Sequence, residues 1–151
     1  MKNVIILLLM LSIRLLAQED SVYCKRLIEE RDRIIDPKLI SHPVMEIPEF
    51  IGRMDSLITL ITNPPYPQAA TENKIEGKVY ITFIVDTNGV PCCFEIQQRK
   101  QLGYGCEESA LKYLKELNLR FTHAVYPATT GKKVPEKIVL PVTFSLKNRK
   151  E

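Results

Sequence analysis

The sequence has little net charge, only +3 at neutral pH over 151 residues, and no strongly basic segment. Its basic pairs, such as Lys25-Arg26, Arg99-Lys100 and Lys132-Lys133, are scattered and have acidic residues nearby. A nucleic-acid-binding domain usually carries its positive charge as one clustered face. We therefore expect no nucleic-acid partner.

The sequence lacks the spacing of a redox thiol motif. No C-x-x-C pair occurs, and the adjacent Cys92 and Cys93 do not have the two-residue gap of such a motif. A thiol enzyme is therefore a minor alternative, which would require a reactive and solvent-accessible cysteine. We expect structural cysteines and no catalytic residues.

Metal and phosphate sites have no signature either. His42, Cys106 and His123 do not stand at the short, regular spacings of zinc ligands. The Gly103–Gly105 stretch before a predicted helix is not part of a strand–GxGxxG–helix unit and has no phosphate-loop lysine, so it indicates a tight turn. We expect no metal ion and no cofactor.

Long apolar runs are also missing, apart from one at the N-terminus. Val4–Ile13 has about half of the roughly 20 apolar residues that a membrane span requires, and Arg14 interrupts it. Lys2 before this run and the small residue Ala17 after it are typical of a secretory signal peptide. We predict a signal peptide over 1–17; left uncleaved, it would anchor the domain in the inner membrane.

Four cysteines after an export signal are typical of an oxidising compartment, where disulfides form. The four are Cys24, Cys92, Cys93 and Cys106. Neighbours in a strand face opposite ways, so Cys92 and Cys93 are not expected to pair with each other. Cys92 shares parity with Phe94 on the apolar face, unless a bulge at Pro91 shifts the register. If the next helix covers that face, Cys92–Cys106 is the favoured disulfide.

Two helices are predicted between the signal peptide and the first strand. Ser21–Asp36 indicates a charged surface helix with a serine at its N-cap. A shorter helix near Arg53–Thr62 has its apolar residues on one side. We therefore predict a helical and connector segment over 18–43 and a folded domain over 44–148.

A hairpin follows in this domain. Apolar residues alternate strictly from about Lys78 to Asp86, as in a strand with one buried face. The Asp86–Gly89 stretch supplies the permissive backbone of a hairpin turn. The second strand is predicted from about Val90 to Gln98.

The last part of the domain is predicted to be a helix and an edge strand. The helix begins near Cys106, with acidic residues in its first turn and an apolar stripe at helical spacing. The final strand, about Lys137–Leu146, contains Pro141, which lacks an amide and therefore indicates a sheet edge. The predicted fold class is α+β, with a small antiparallel three-stranded sheet in β-β-α-β order, one packed helix and short N-terminal helices.

An ordered set of short motifs between Val44 and Leu146 resembles the TonB C-terminal domain. The main pieces are Tyr66-Pro67, Ile75-Glu76-Gly77-Lys78-Val79, Asp86, Gly89, Gly105-Cys106-Glu107-Glu108, Pro127-Ala128 and Leu140-Pro141-Val142. The resemblance implies a periplasmic domain that binds a short extended segment, the TonB box, of an outer-membrane receptor. In that family the segment pairs with the sheet edge, a mode known as β-augmentation.

The resemblance also implies which residues bind the partner. By position, the last strand is the pairing edge and the Tyr66-Pro67 pair lies close to the docked segment. The implied partner-binding residues are Tyr66, Pro67, Val139, Pro141, Thr143 and Ser145. A transducer of this family also reaches inner-membrane motor proteins, which are expected partners if the N-terminus is uncleaved. Separately, the open sheet edge offers a second copy of the chain as a further expected partner.

A second function remains open at this point. A full transducer has an inner-membrane helix and a long proline-rich spacer, whereas the apolar run and the segment before Val44 are short here. The alternative is therefore a free periplasmic adaptor or scaffold that has kept the TonB-like fold without energy coupling.

Overall fold

The computed structural model describes residues 20–35, 45–97, 101–126 and 131–148. The predicted signal peptide, the end of the predicted first helix and the Pro127-Ala128 pair lie outside these residues. The elements, in chain order, are a helix over 20–34 (α1), α2 Met54–Thr62, α3 Gln68–Glu72, β1 Gly77–Val85, β2 Pro91–Ile96, α4 Cys106–Glu116, β3 Ala124–Val125, β4 Lys133–Val134, β5 Glu136–Phe144 and a 3-10 turn Leu146–Asn148. The predicted α+β class is confirmed.

The main sheet is antiparallel, with the order β2-β1-β5. β1 is the central strand and pairs with β5 along its whole length, from Gly77 opposite Phe144 to Val85 opposite Glu136. Among the strands that the structure describes, β5 pairs with β1 alone. The edge position that Pro141 predicted is therefore confirmed.

The hydrophobic core lies between α4 and one face of the sheet, which we call the first face. Helix α4 buries residues spaced by four, Cys106, Ala110 and Leu114, all at most 1% exposed. From the sheet, the alternating apolar side chains of β1 point toward the helix. At the centre, the ring of Phe83 lies 5.2 Å from that of Phe94 and 5.5 Å from that of Phe121.

Strand β2 contains a bulge that the sequence pattern did not locate. The register pairs Thr82 with Glu95 and Ile84 with Cys92. Cys93 and Phe94 therefore both stand opposite Phe83, and Cys93 has a positive φ of 56°. Because a bulge adds one residue, it reverses the parity of the strand on one side. Phe94 stays on the first face, and Cys92 moves to the opposite, second face.

The observed disulfide joins Cys24 to Cys93, and the expected Cys92–Cys106 pair is wrong. The two bonded cysteines have Cα atoms 5.7 Å apart, within the usual range for a disulfide. Cys92 and Cys106 are free thiols. Cys106 is the first residue of α4 and is buried against the first face, whereas Cys92 lies opposite Ile84 on the second face. The sheet therefore separates the two thiols.

Helix α1 is attached to both edge strands through residues on one of its faces. Cys24, Leu27 and Arg31 are spaced i, i+3, i+7, which places them along a single stripe. Cys24 is bonded to Cys93 of β2. At the other end, Arg31 donates to both carboxylate oxygens of Glu136 in β5, over 3.0 and 3.1 Å. Leu27, between these attachments, is 6% exposed.

Helix α1, which was predicted as a surface helix, lies next to a part of the second face that is buried. Thr82 and Ile84 point away from α4, yet they are only 4% and 6% exposed. Tyr80 and Val139 on the same face remain 39% and 44% exposed. We infer that α1 shields the sheet near β2 and leaves the middle of β5 uncovered.

Candidate protein-binding edge

The outer edge of β5 presents backbone groups that have no strand partner in the described residues. On the other side of the sheet, the Gln97 amide donates to the Tyr80 carbonyl over 2.9 Å, so the backbone groups of Tyr80 point toward β2. In an antiparallel ladder, each residue directs its N–H and C=O to the same side, and successive residues alternate. Pro141, opposite Tyr80, therefore directs its backbone away from β1.

The same alternation determines which groups the edge offers to a partner. Val139 and Thr143 share the parity of Pro141, so their N–H and C=O groups also point outward. The proline contributes only a carbonyl. It removes no bond from the ladder between β1 and β5, because its missing amide would have faced outward.

The side chains at these positions form a shallow strip on the second face. Val139 is exposed, while Pro141 and Thr143 are half-buried. Ser145 follows the strand and donates through its hydroxyl to Glu76 over 3.1 Å. The Leu146 amide donates to the same carboxylate oxygen over 2.7 Å, so Glu76 secures the end of β5.

Tyr66 and Pro67 are not part of this strip. The Tyr66 ring packs edge-on against Phe144, with ring centroids 5.3 Å apart, and its hydroxyl donates to the Ile75 carbonyl. Tyr66 thus supports the end of β5 from the first face. Pro67 is the N-cap residue of α3 and is half-buried. The structure brings Val139, Pro141 and Thr143 together, and Tyr66 contacts the same strand from behind.

Two lysines that were not predicted as site residues flank the strip. Lys137 lies opposite Ile84, and Lys78 lies opposite Thr143, so both share the second face with Val139. Both lysines are exposed, and neither forms an ion pair within the described part of the chain. The alternation of the last strand would have placed Lys137 on the same face as Val139. Lys78 could be placed on that face only from the pairing of β1 with β5.

The pKa values of the two free thiols are shifted in the opposite direction from those of catalytic cysteines. Burial, reinforced by Asp86, raises the pKa of Cys92 to about 11. Burial, reinforced by Glu107 and Glu108, raises the pKa of Cys106 to about 11. A nucleophilic thiol needs a lowered pKa, since the thiolate is the reactive form. Both thiols are therefore protonated at neutral pH.

These pKa values predict alkaline sensitivity. Each folded-state pKa lies above the ordinary value of 9.0, so the unfolded chain releases its protons first as the pH rises. The thiol contribution to stability is therefore complete below pH 9 and declines toward pH 11, by at most about 1.4 kcal/mol per pH unit and thiol. Urea unfolding between pH 8 and 11 should show a shallower decline in a Cys92→Ala/Cys106→Ala variant. Equal slopes in the two proteins would contradict this prediction.

The described residues have neither a metal-binding cluster nor a membrane-spanning helix. They contain no group of three or more histidine, cysteine, aspartate or glutamate side chains that could hold a metal ion. No helix among them is long and apolar enough to cross a membrane.

Comparison with known proteins agrees with the fold. The family model described as Gram-negative bacterial TonB protein C-terminal matches residues 62–146. This span is more than half of the chain and contains β1, β2, α4 and β5. No curated protein matches the chain. The chain belongs to the Gram-negative bacterial TonB protein C-terminal family.

Proposed function

We propose that this domain binds an extended segment of an outer-membrane receptor by adding it as a further strand at the outer edge of β5. Domains of this family are periplasmic, act in TonB-dependent transport and generally interact with outer-membrane receptors. The observation that supports the proposal is the row of outward backbone groups over 139–143. These groups match the main-chain bonding of β-augmentation.

The backbone would provide most of the affinity. An added strand would find N–H donors at Val139 and Thr143 and carbonyl acceptors at 139, 141 and 143. A typical hydrogen bond contributes about 0.5–1.5 kcal/mol net. A few such bonds give a weak, reversible complex, which suits a domain that engages and releases a receptor.

The side chains of the strip would provide selectivity. Val139 and Pro141 are apolar, and the exposed ammonium groups of Lys78 and Lys137 stand on either side of them on the second face. A segment with apolar residues at its centre and acidic residues toward its ends would complement this arrangement. Since exposed charges are screened by salt, the lysine contribution should weaken as ionic strength rises.

Exchanging valine and proline along the edge provides the main test. Val139→Pro removes an outward donor and leaves the β1–β5 ladder intact, so binding should weaken by about two- to tenfold. Pro141→Val restores the missing outward donor, so binding should tighten by a similar factor. Titration of a fluorescent TonB-box peptide with each variant measures both changes.

Controls separate backbone from side-chain effects. Val139→Ala keeps the outward N–H and shortens the side chain, so it should weaken binding less than Val139→Pro does. Circular dichroism should show the same fold in all variants. No binding at millimolar peptide concentration would reject the proposal. Equal affinity of Val139→Pro and Pro141→Val would show that the peptide does not pair with β5.

Two other outcomes would assign the edge differently. Concentration-dependent self-association that Pro141→Val strengthens would indicate a second copy of the chain as the occupant. N-terminal sequencing of the protein from cells decides between the anchored and the free forms. A start near Gln18 supports the free periplasmic adaptor, and an intact membrane-retained N-terminus supports contact with inner-membrane motor proteins.

A further inference from the structure

We propose that the Cys24–Cys93 disulfide is a redox latch that holds α1 on the second face of the sheet. In this device, reduction releases α1 while the sheet and α4 stay folded, and oxidation restores the docked helix. The latch is independent of receptor binding, because it concerns the attachment of α1 and not the occupant of the β5 edge.

The first support is that most of the large apolar side chains in the described part of α1 are exposed. Leu27 is the only buried residue in the described part of the helix and Ile34 is half-buried, whereas Val22, Tyr23 and Ile28 are 44–62% exposed. Helices of about 12–15 residues or fewer are marginal in water without tertiary contacts. The disulfide and the Arg31–Glu136 pair therefore decide whether α1 stays helical and docked.

The second support is that the core does not depend on α1. The buried core cluster draws its residues from α2, α3, β1, α4, β5 and the Leu119–Phe121 segment, and none of them from α1. Release of α1 would expose Thr82, Ile84 and the half-buried Cys92 thiol on the second face. The first face, with Phe83 and α4, would stay covered.

The third support is that the disulfide is accessible to a reductant. Cys24 and Cys93 are half-buried and line an open cleft of about 650 Å³ between α1, β2 and α4. Its polar rim includes Asp20, Lys25 and Lys115. Strand β2 is an edge of the sheet, so no further strand in the described residues stands between the bond and solvent.

A dithiol can reduce the Cys24–Cys93 bond by thiol–disulfide exchange. One of its thiolates attacks a sulfur of the bond, the Cys24 Sγ–Cys93 Sγ bond breaks, and its second thiol resolves the mixed disulfide. Two electrons and two protons pass to Cys24 and Cys93, which become thiols, and the dithiol becomes a disulfide. Cys92 stays protonated beside the bond at neutral pH, which limits its attack on the oxidised latch.

Limited trypsin digestion of the full chain tests the latch, because α1 contains four cleavage sites. These are Lys25, Arg26, Arg31 and Arg33. We expect cleavage within α1 to become at least tenfold faster after reduction with dithiothreitol, while hydrogen exchange of β1 amides stays unchanged. Cys24→Ser should show the fast rate without reductant, and its Cys92 should react with a thiol-specific alkylating reagent.

The matched control is Cys92→Ser, which removes a neighbouring thiol but keeps the disulfide and should switch as the wild-type protein does. Reoxidation of the reduced protein should return the slow rate. Unchanged cleavage of α1 after reduction would overturn the latch, since other contacts would then hold the helix. Loss of β1 protection after reduction would also overturn it, because the disulfide would then hold the whole domain. If Cys24→Ser does not fold, comparing the cleavage of the wild-type protein before and after reduction still tests the latch.

Discussion

Phe83→Ala should lower the free energy of unfolding by about 3–5 kcal/mol, since it removes the largest fully buried side chain from the central strand. The ring contacts Phe94 on β2 and Phe121 beyond α4. Its removal leaves a cavity that these two rings can fill only in part, because Phe121 is held by its bridge to Phe50 and the neighbours of Phe94 are paired with β1. Domains of this size are typically stable by about 5–15 kcal/mol, so the loss is a large share of the total.

Urea unfolding followed by circular dichroism measures this loss. Phe83→Leu is the control, because it keeps much of the buried volume and should cost no more than about 2 kcal/mol. Phe83 stands opposite Ile138 of β5, so the alanine variant should also loosen the outer edge. A cost below about 1.5 kcal/mol for Phe83→Ala would show that the ring cluster is not the centre of the core.

Gly89→Ala should be the second most damaging change, with an expected cost of about 3 kcal/mol or more. Gly89 has a φ of 78°, in the left-handed region, and a Cβ built there would lie 2.0 Å from the Phe121 carbonyl oxygen. The neighbour is backbone and cannot rotate away. The glycine carbonyl also accepts a hydrogen bond from the Phe121 amide over 3.0 Å, so the two segments of the chain are held close.

Gly103→Ala provides a matched control for the close approach. Gly103 has nearly the same φ, 74°, but nothing lies within 4 Å of the Cβ position. Its substitution should therefore cost only the conformational penalty, about 1–2 kcal/mol. The difference between the two variants measures the contact with Phe121. Equal losses would mean that the hairpin moves aside without cost.

The two faces of the sheet differ in what they bury and what they expose. The first face buries the core under α4, and it contains the residues whose loss should be most costly. The second face combines the latched helix α1 with the strip of Val139, Pro141 and Thr143 beside the outer edge. If the proposed latch operates, a change of redox state alters the second face while the core persists.

Much of the fold could be predicted from local patterns. The alternation in β1 and the apolar stripe of α4 each report the burial of one face, and burial patterns repeat over a few residues. Pro141 marked an edge because an amide is needed in a central strand. Helix α3, Gln68–Glu72, was not predicted, since five residues are too few to show a helical period.

The arrangement of the second face could not be predicted in this way. Cys24 and Cys93 are 69 residues apart, and nothing local to either cysteine indicates the other. The charged stretch of α1 suggested a surface helix, but Arg31 meets Glu136 only because the chain returns to that edge. Long-range pairs such as these depend on how the elements are packed.

The sequence by itself determined the β-β-α-β order, the apolar face of β1 and the edge position of Pro141, because each follows from spacing within a single element. The tertiary structure alone decided which cysteines pair, where α1 lies and that Lys78 flanks β5. For the cysteines, the physical reason is the bulge at Cys93, where one extra residue reverses the parity of the strand. That reversal moves Cys92 away from Cys106 and leaves Cys93 to be joined to Cys24.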